Sequence, residues 1–275
     1  MSSPVEPAPE RGTGRLRLAV YKFSSCDGCQ LALLNAGQAL LTLSELVEWV
    51  WFAEAGIEGD DREVDVAFVE GSVSTPAERE RIRRIRQRTR LLVAMGACAT
   101  SGGLQALRRL GRVEDWTAAV YARPQYIQSL HRAHPLADEV EVDLELWGCP
   151  VDTAQMLAAV RSLLSGVLPV HSPDAVCLEC KRRQGVCVMV TRGEPCMGPL
   201  THTGCGALCP RFGRGCYGCY GPVDHANTDA VARRFAAMGL LPEQIRDGFL
   251  GIHNQAPAFA AAADAAGEHG GETPG

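Results

Sequence analysis

The chain has 275 residues, 46% hydrophobic and 21% charged, enough for one sizeable core and a second, smaller unit. Its net charge of -5 gives no electrostatic reason to expect nucleic-acid binding or attraction to an anionic membrane surface. The longest apolar stretch, Leu31 to Phe52, is interrupted by Asn35, Gln38, Glu45 and Glu48, so no membrane span is expected.

Met1 to Gly14 is rich in Pro, Glu and Gly and lacks the charged start, apolar stretch and cleavage site of a secretory signal. It reads as a disordered leader on a cytoplasmic protein. From Arg15 to Gly166, short β-rich runs alternate with helical patterns, as in a parallel sheet covered by helices. The expected strands are Leu16 to Phe23, Val64 to Val69, Leu91 to Met95 and Val140 to Leu146. The expected helices are Gln30 to Phe52, Pro76 to Arg88, roughly Gly103 to Leu110, and Thr153 to Leu164. After Gly166, Gly, Pro and Cys replace the apolar periodicity as far as Pro222, and such a segment needs something besides its own core to hold it. A helix over about Asp229 to Met238 precedes an Ala- and Gly-rich end that reads as frayed.

Twelve cysteines in a chain without an export signal point to metal binding or catalysis, because cytosolic thiols stay reduced. Cys26 and Cys29 follow the first expected strand, Cys98 the third and Cys149 the fourth. The carboxyl ends of parallel strands share one edge, where ligands of open α/β sheets bind, so these four sulfurs converge on one site. Singly, Cys98 or Cys149 reads equally well as a plain buried thiol. Glu70, just past the second strand, falls beside the same site, as a group that tunes it or as an ordinary turn residue.

The other eight cysteines, Cys177, Cys180, Cys187, Cys196, Cys205, Cys209, Cys216 and Cys219, make two further sites of four by count. Cys205-Gly-Ala-Leu-Cys209-Pro210 reproduces the Cys-x-x-x-Cys-Pro end of a bacterial ferredoxin run. Structural zinc is the rival, since it also favours four cysteines and Cys-x-x-Cys pairs. The two Cys-x-x-Cys pairs stand much farther apart than the usual zinc spacing of about 15 to 20 residues. Gly213, Gly215 and Gly218 match G-x-G-x-x-G by chance, with no strand before them, and His171 reads as a loop residue. The arginines from Arg79 to Arg90 read as a solvated helix face, with docking of an acidic partner second.

Ser25-Cys-Asp-Gly-Cys29-Gln, Gly96-Ala-Cys98-Ala-Thr-Ser-Gly-Gly103 and Gly148-Cys149-Pro150 resemble the proximal-cluster motifs of nickel-iron hydrogenase small subunits. Cys177-Leu-Glu-Cys180, Glu194-Pro-Cys196-Met-Gly-Pro and Cys216-Tyr-Gly-Cys219 look like the cytoplasmic, NAD(P)-linked branch, the sulfhydrogenase delta subunits. The resemblance implies a flavodoxin-like α/β domain over 15–166 and a small, irregular Cys-rich domain over 167–255 carrying two clusters and a C-terminal helical segment. The leader would be 1–14 and a flexible tail 256–275. It implies three 4Fe-4S clusters: a proximal one on Cys26, Cys29, Cys98 and Cys149, a medial one on Cys205, Cys209, Cys216 and Cys219, and a distal one on Cys177, Cys180, Cys187 and Cys196. Cys177 and Cys209 stand where membrane-bound relatives carry histidine and proline, so every cluster would be four-iron with full cysteine ligation. No cysteine remains for nickel, so the implied partners are a catalytic large subunit and flavin/NAD(P)-binding and iron-sulfur subunits. A complex I-like cluster subunit shares the first domain; it is disfavoured by the separated Cys26/Cys29 pair, where that family places adjacent cysteines, and by the extra eight-cysteine segment.

Overall fold

The computed structural model describes residues 15–59, 62–170 and 172–268. The leader 1–14, His171 and the last residues of the tail, 269–275, lie outside the described residues.

Five parallel strands form one sheet: β1 (Leu16–Lys22), β2 (Val47–Phe52), β3 (Val64–Glu70), β4 (Thr89–Met95) and β5 (Leu144–Leu146). Their order is β2-β1-β3-β4-β5, the doubly wound flavodoxin order. The chain reverses its direction of growth between β1 and β3, which opens a crevice at their carboxyl ends. Alternation along the strands buries both faces. Leu18, Val20, Phe68 and Met95 pack on Leu33, Leu43, Met156 and Val160 on one side. Ala19, Val69, Leu92 and Ala94 pack on Ile82 and Ile85 on the other.

The helices of this unit are α1 (Gly28–Leu34), α2 (Gln38–Leu46), α3 (Pro76–Arg88), α4 (Gly96–Ser101), α5 (Val113–Val120) and α6 (Thr153–Leu164). Helix α3 starts where the sequence signals it, with Pro76 in its first turn and a reciprocal Thr75/Glu78 capping box. Helix α6 starts at Asp152, whose carboxylate accepts from the amides of Ala154 and Gln155.

Three sequence expectations differ from the structure here. The single helix over Gln30 to Phe52 is two short helices and then a strand. The break comes at Asn35 to Gly37, where Gly37 takes φ 58, and the β-branched and aromatic run Val-Glu-Trp-Val-Trp-Phe pairs with β1. Strand β5 has three residues rather than seven: the Asp143 carboxylate accepts from the Leu92 amide at 2.7 Å, so a side chain occupies the ladder position there. Residues Gly103–Leu110 form a 3-10 stretch rather than an α-helix.

Beyond α6 come α7 (Val176–Arg182), α8 (Val188–Thr191), α9 (Leu208–Arg211), α10 (Thr228–Ala237), α11 (Pro242–Phe249) and α12 (Pro257–Glu268). The Cys-rich segment borrows a core from the last three: Val176, Met197 and Leu200 pack with Phe235, Phe249 and Phe259. The frayed end expected from Ala256 is therefore helix as far as Glu268, because an alanine run is a strong helix former and Phe259, Ala262 and Ala263 share its buried face. Phe259→Ala is expected to lower unfolding free energy by about 3–5 kcal/mol, the range for emptying a buried aromatic site, read from the denaturation midpoint. No described helix is long and apolar enough to cross a membrane.

Candidate metal centres

The first four cysteines gather at the carboxyl edge of the sheet. Cys26 and Cys29 lie on the turn from β1 into α1, Cys98 lies in α4 directly after β4, and Cys149 follows β5. Burial pushes the thiols of Cys29, Cys98 and Cys149 upward, Cys98 to about 12, and mutual repulsion adds to it. Cys98 and Cys149 act on Cys29, and Cys26 acts on both Cys98 and Cys149. The backbone closes tightly on the sulfurs at two glycines. A methyl group at Gly96, where φ is 84, would run into the Cys29 sulfur, and one at Gly103 would come within 2.7 Å of the Cys98 sulfur.

Glu70 ends β3 beneath this quartet, with 2% of its surface exposed. Its Oε1 accepts from the Cys29 amide at 3.1 Å and its Oε2 from the Gln30 amide at 3.2 Å. Asp27, at the start of α1, makes no side-chain cap, so the Glu70 carboxylate satisfies two free amides of that helix from a neighbouring strand. Burial raises its pKa and the Cys29 amide pulls it back. The carboxylate thus fixes the peptide that carries Cys29.

The remaining eight thiols gather in two groups. In α7, Cys177 and Cys180 stand one turn apart on one face, and Cys180 is repelled by Cys177, Cys196 and Cys187. Cys219 is repelled by Cys205, Cys209 and Cys149, and Cys216 by Cys196 of the other group and then by Cys219. Several sulfurs accept backbone amides, as thiolates in cluster sites do. Cys196 accepts from Cys216 at 3.2 Å and Cys205 from Ala207 and Leu208, where Ala207 takes φ 51 to aim them.

The groups touch one another in order. Cys149 acts on the Cys219 thiol, which sets the first group beside the one holding Cys205, Cys209 and Cys216. The Cys216 amide donates to the Cys196 sulfur, which joins that group to Cys177, Cys180 and Cys187. Cys187 is exposed.

A residue that the sequence reading missed ties the first two groups together. His253, 1% exposed, places Nδ1 2.7 Å from the Ser101 hydroxyl at the end of α4 and Nε2 2.9 Å from the Cys219 carbonyl. A carbonyl only accepts, so Nε2 carries the proton and Nδ1 accepts from Ser101. Burial holds the ring neutral, its pKa pushed down to about 4. The neighbouring Asn254 donates to the Gly103 carbonyl at 3.1 Å, and Gln255 to the Ala133 carbonyl at 2.7 Å. The one available signal was a polar His-Asn-Gln run inside an otherwise Ala- and Gly-rich stretch.

No group of three or more His, Cys, Asp or Glu side chains among the described residues sits close enough for a single metal ion. The donor set is all sulfur, crowded, and cradled by glycine. That chemistry fits iron-sulfur groups, which take four thiolates at wider spacing than one ion does.

A flavodoxin-type sheet with thiols gathered at its carboxyl edge, continued by a Cys-rich helical region, defines a class of iron-sulfur redox protein. Residues 26–163 match the profile of the family described as NADH ubiquinone oxidoreductase, 20 Kd subunit. Sulfhydrogenase 2 subunit delta of Pyrococcus furiosus is 36% identical over 207 residues, 75% of this chain and 86% of its own. The structure of an NAD+-reducing NiFe hydrogenase in the H2-reduced state superposes with a TM-score of 0.54 and 29% identity over 58% of this chain and 96% of that one. The NiFeSe hydrogenase of Dm. baculatum, at 15% identity and TM-score 0.54, shares the fold over 81% of this chain and 99% of its own.

The chain belongs to the NADH ubiquinone oxidoreductase 20 Kd subunit family, and within it to the small subunits of nickel-iron hydrogenases. It is an iron-sulfur subunit that works with a large subunit. The 207-residue match cannot be held within residues 26–163 and the 25 before them, so it runs into the Cys-rich segment that the complex I-like alternative leaves unexplained.

Proposed function

We propose that this subunit carries three 4Fe-4S clusters in a row. Cys26, Cys29, Cys98 and Cys149 would hold the proximal one, Cys205, Cys209, Cys216 and Cys219 the medial one, and Cys177, Cys180, Cys187 and Cys196 the distal one. When bound, such clusters supply one-electron chemistry, and so a route between the nickel-iron centre of the large subunit and an NAD(P)-linked flavin and iron-sulfur module in the cytoplasm. The observation that carries this reading is the pair of links between groups, Cys149 to Cys219 and Cys216 to Cys196. The NAD(P) end is supported by the likeness to the sulfhydrogenase delta subunit and the NAD+-reducing enzyme. The protein's own part is to hold the thiolates, eight of which burial alone pushes toward the protonated form, to orient their peptides, and to set potentials through amide donors to sulfur. The domain limits of 15–166 and 167–255 follow the same division, between the first quartet and the other two.

The test is metal and sulfide content of the complex purified without oxygen. About twelve iron and twelve sulfide assignable to this chain, four for each quartet, with nickel in the larger subunit, is the expected result. Zinc with negligible sulfide would sink the redox reading.

A further inference from the structure

The surface beside the third cysteine group carries an excess of positive charge. The chain carries a net charge of -5, yet between Cys177 and Cys219 it holds six cations, Lys181, Arg182, Arg183, Arg192, Arg211 and Arg214, against two acids, Glu179 and Glu194. Three of those arginines, Arg183, Arg192 and Arg211, line one open cavity of about 630 Å³ together with Val186 and Val188. Cys187, itself exposed, lies between those two valines in the chain.

The arginines are only partly neutralised. Arg183 stands 3.6 Å from Glu179, and Arg192 donates to the Gly213 carbonyl at 2.9 Å, which satisfies a hydrogen bond without cancelling the charge. The Arg211 amide donates to the Ala207 carbonyl at 3.1 Å, while its guanidinium makes no hydrogen bond or ion pair among the described residues. Apolar side chains stand out in the same stretch: Val186 is 68% exposed, Val190 78%, and Phe212, next to Arg211, 75%. Apolar side chains exposed among arginines have the composition of a protein-protein contact.

We infer that the Arg183, Arg192 and Arg211 cavity, with Val186 and Phe212 beside it, docks an acidic electron-accepting protein whose carboxylates enter the cavity and whose redox centre comes to rest over Cys187. The inference rests on the proposed distal ligation by Cys177, Cys180, Cys187 and Cys196, since the contact is useful where electrons leave. Arginine suits such a contact, because its planar fork pairs with carboxylates two bonds at a time and cannot lose its charge. Opposite charge across the contact would raise the association rate and orient the partner, an effect that salt screens.

The test uses the purified hydrogenase, wild type and Arg183→Glu/Arg211→Glu, with an acidic plant-type ferredoxin as probe and a cationic cytochrome c as its opposite. Binding is measured directly by interferometry, and electron delivery by hydrogen-driven reduction, at about 20 mM and about 300 mM salt, where the screening length falls from roughly 20 Å to under 10 Å. The wild type should bind ferredoxin at least tenfold more tightly at low salt than at high salt. The variant should lose that affinity and its salt dependence and gain affinity for cytochrome c.

Iron content, cluster spectra and hydrogen-driven reduction of a small uncharged quinone should be the same in both proteins. A wild type that binds ferredoxin no better than the variant, with iron intact, overturns the docking surface and leaves the three-cluster reading standing. Iron or cluster signals missing from the wild type overturn the three-cluster reading itself. Release of ferredoxin by inorganic phosphate beyond what chloride of equal ionic strength achieves would make the cavity a free-anion site and overturn protein docking.

Discussion

Replacing Cys98 with alanine in the assembled hydrogenase is expected to abolish hydrogen-driven reduction of every acceptor, while replacing Cys187 with alanine should abolish delivery only to protein acceptors. The difference follows from position. Cys98 sits in α4 at the sheet edge, with Cys26, Cys29 and Cys149 around it, so its loss would remove the entrance to the proposed route. Cys187, the exposed thiol of its group, sits at the far end of the proposed route, so its loss would leave the first two groups whole and a small dye could still collect electrons from them.

Exchange between hydrogen gas and deuterium in the solvent needs no net electron flow, so both variants should retain it provided the large subunit stays bound. The expected drop for Cys98→Ala is at least about a thousandfold in dye reduction, equivalent to roughly 4 kcal/mol in the barrier. Unchanged dye reduction in Cys98→Ala would remove this cysteine from the route. Loss of dye reduction in Cys187→Ala would mean that the group named distal lies upstream of the others.

Much of this arrangement is legible in the sequence, for a definite reason. Cys26, Cys29, Cys98 and Cys149 were placed by the strands before them, and those strands announce themselves locally as short, largely apolar runs. Likewise Thr75-Pro76 with Glu78 writes the start of α3 into four residues. What stayed hidden depends on partners far away in the chain. Strand β2 follows α2 without a break and is a strand because β1 lies open beside it. Helix α12 is apolar enough to look frayed alone, and is fixed by Phe249 and by the Cys-rich segment against it. The division of the last eight cysteines reads from spacing only as two sets of four. It is the hydrogen bond from Cys216 to Cys196, twenty residues apart in sequence, that sets those two groups side by side.

His253→Ala should loosen the join between the first two cysteine groups. The ring is the one described side chain that bonds both the helix holding Cys98, through Ser101, and the peptide of Cys219. Truncation removes one buried and one partly buried hydrogen bond, leaves the Cys219 carbonyl without this donor, and opens a void beside Trp147, whose ring centre lies 5.1 Å away. Together these are expected to lower stability by about 2–4 kcal/mol, a fall of roughly 5–15 °C in melting temperature. Ser101→Ala removes only one of the two bonds and should cost about 1 kcal/mol. Because both changes break the same Ser101 contact, the double variant should fall short of the sum by about 0.5–1 kcal/mol. Strict additivity, measured by denaturant unfolding of the two single variants and the double, would mean that the histidine acts through packing alone. A structural loss by itself would leave the cluster spectra of the surviving protein unchanged. Displacement of the Cys219 peptide should instead alter the signal of the group that Cys219 shares with Cys205 and Cys209, and leave the signal of the Cys187 group as it was.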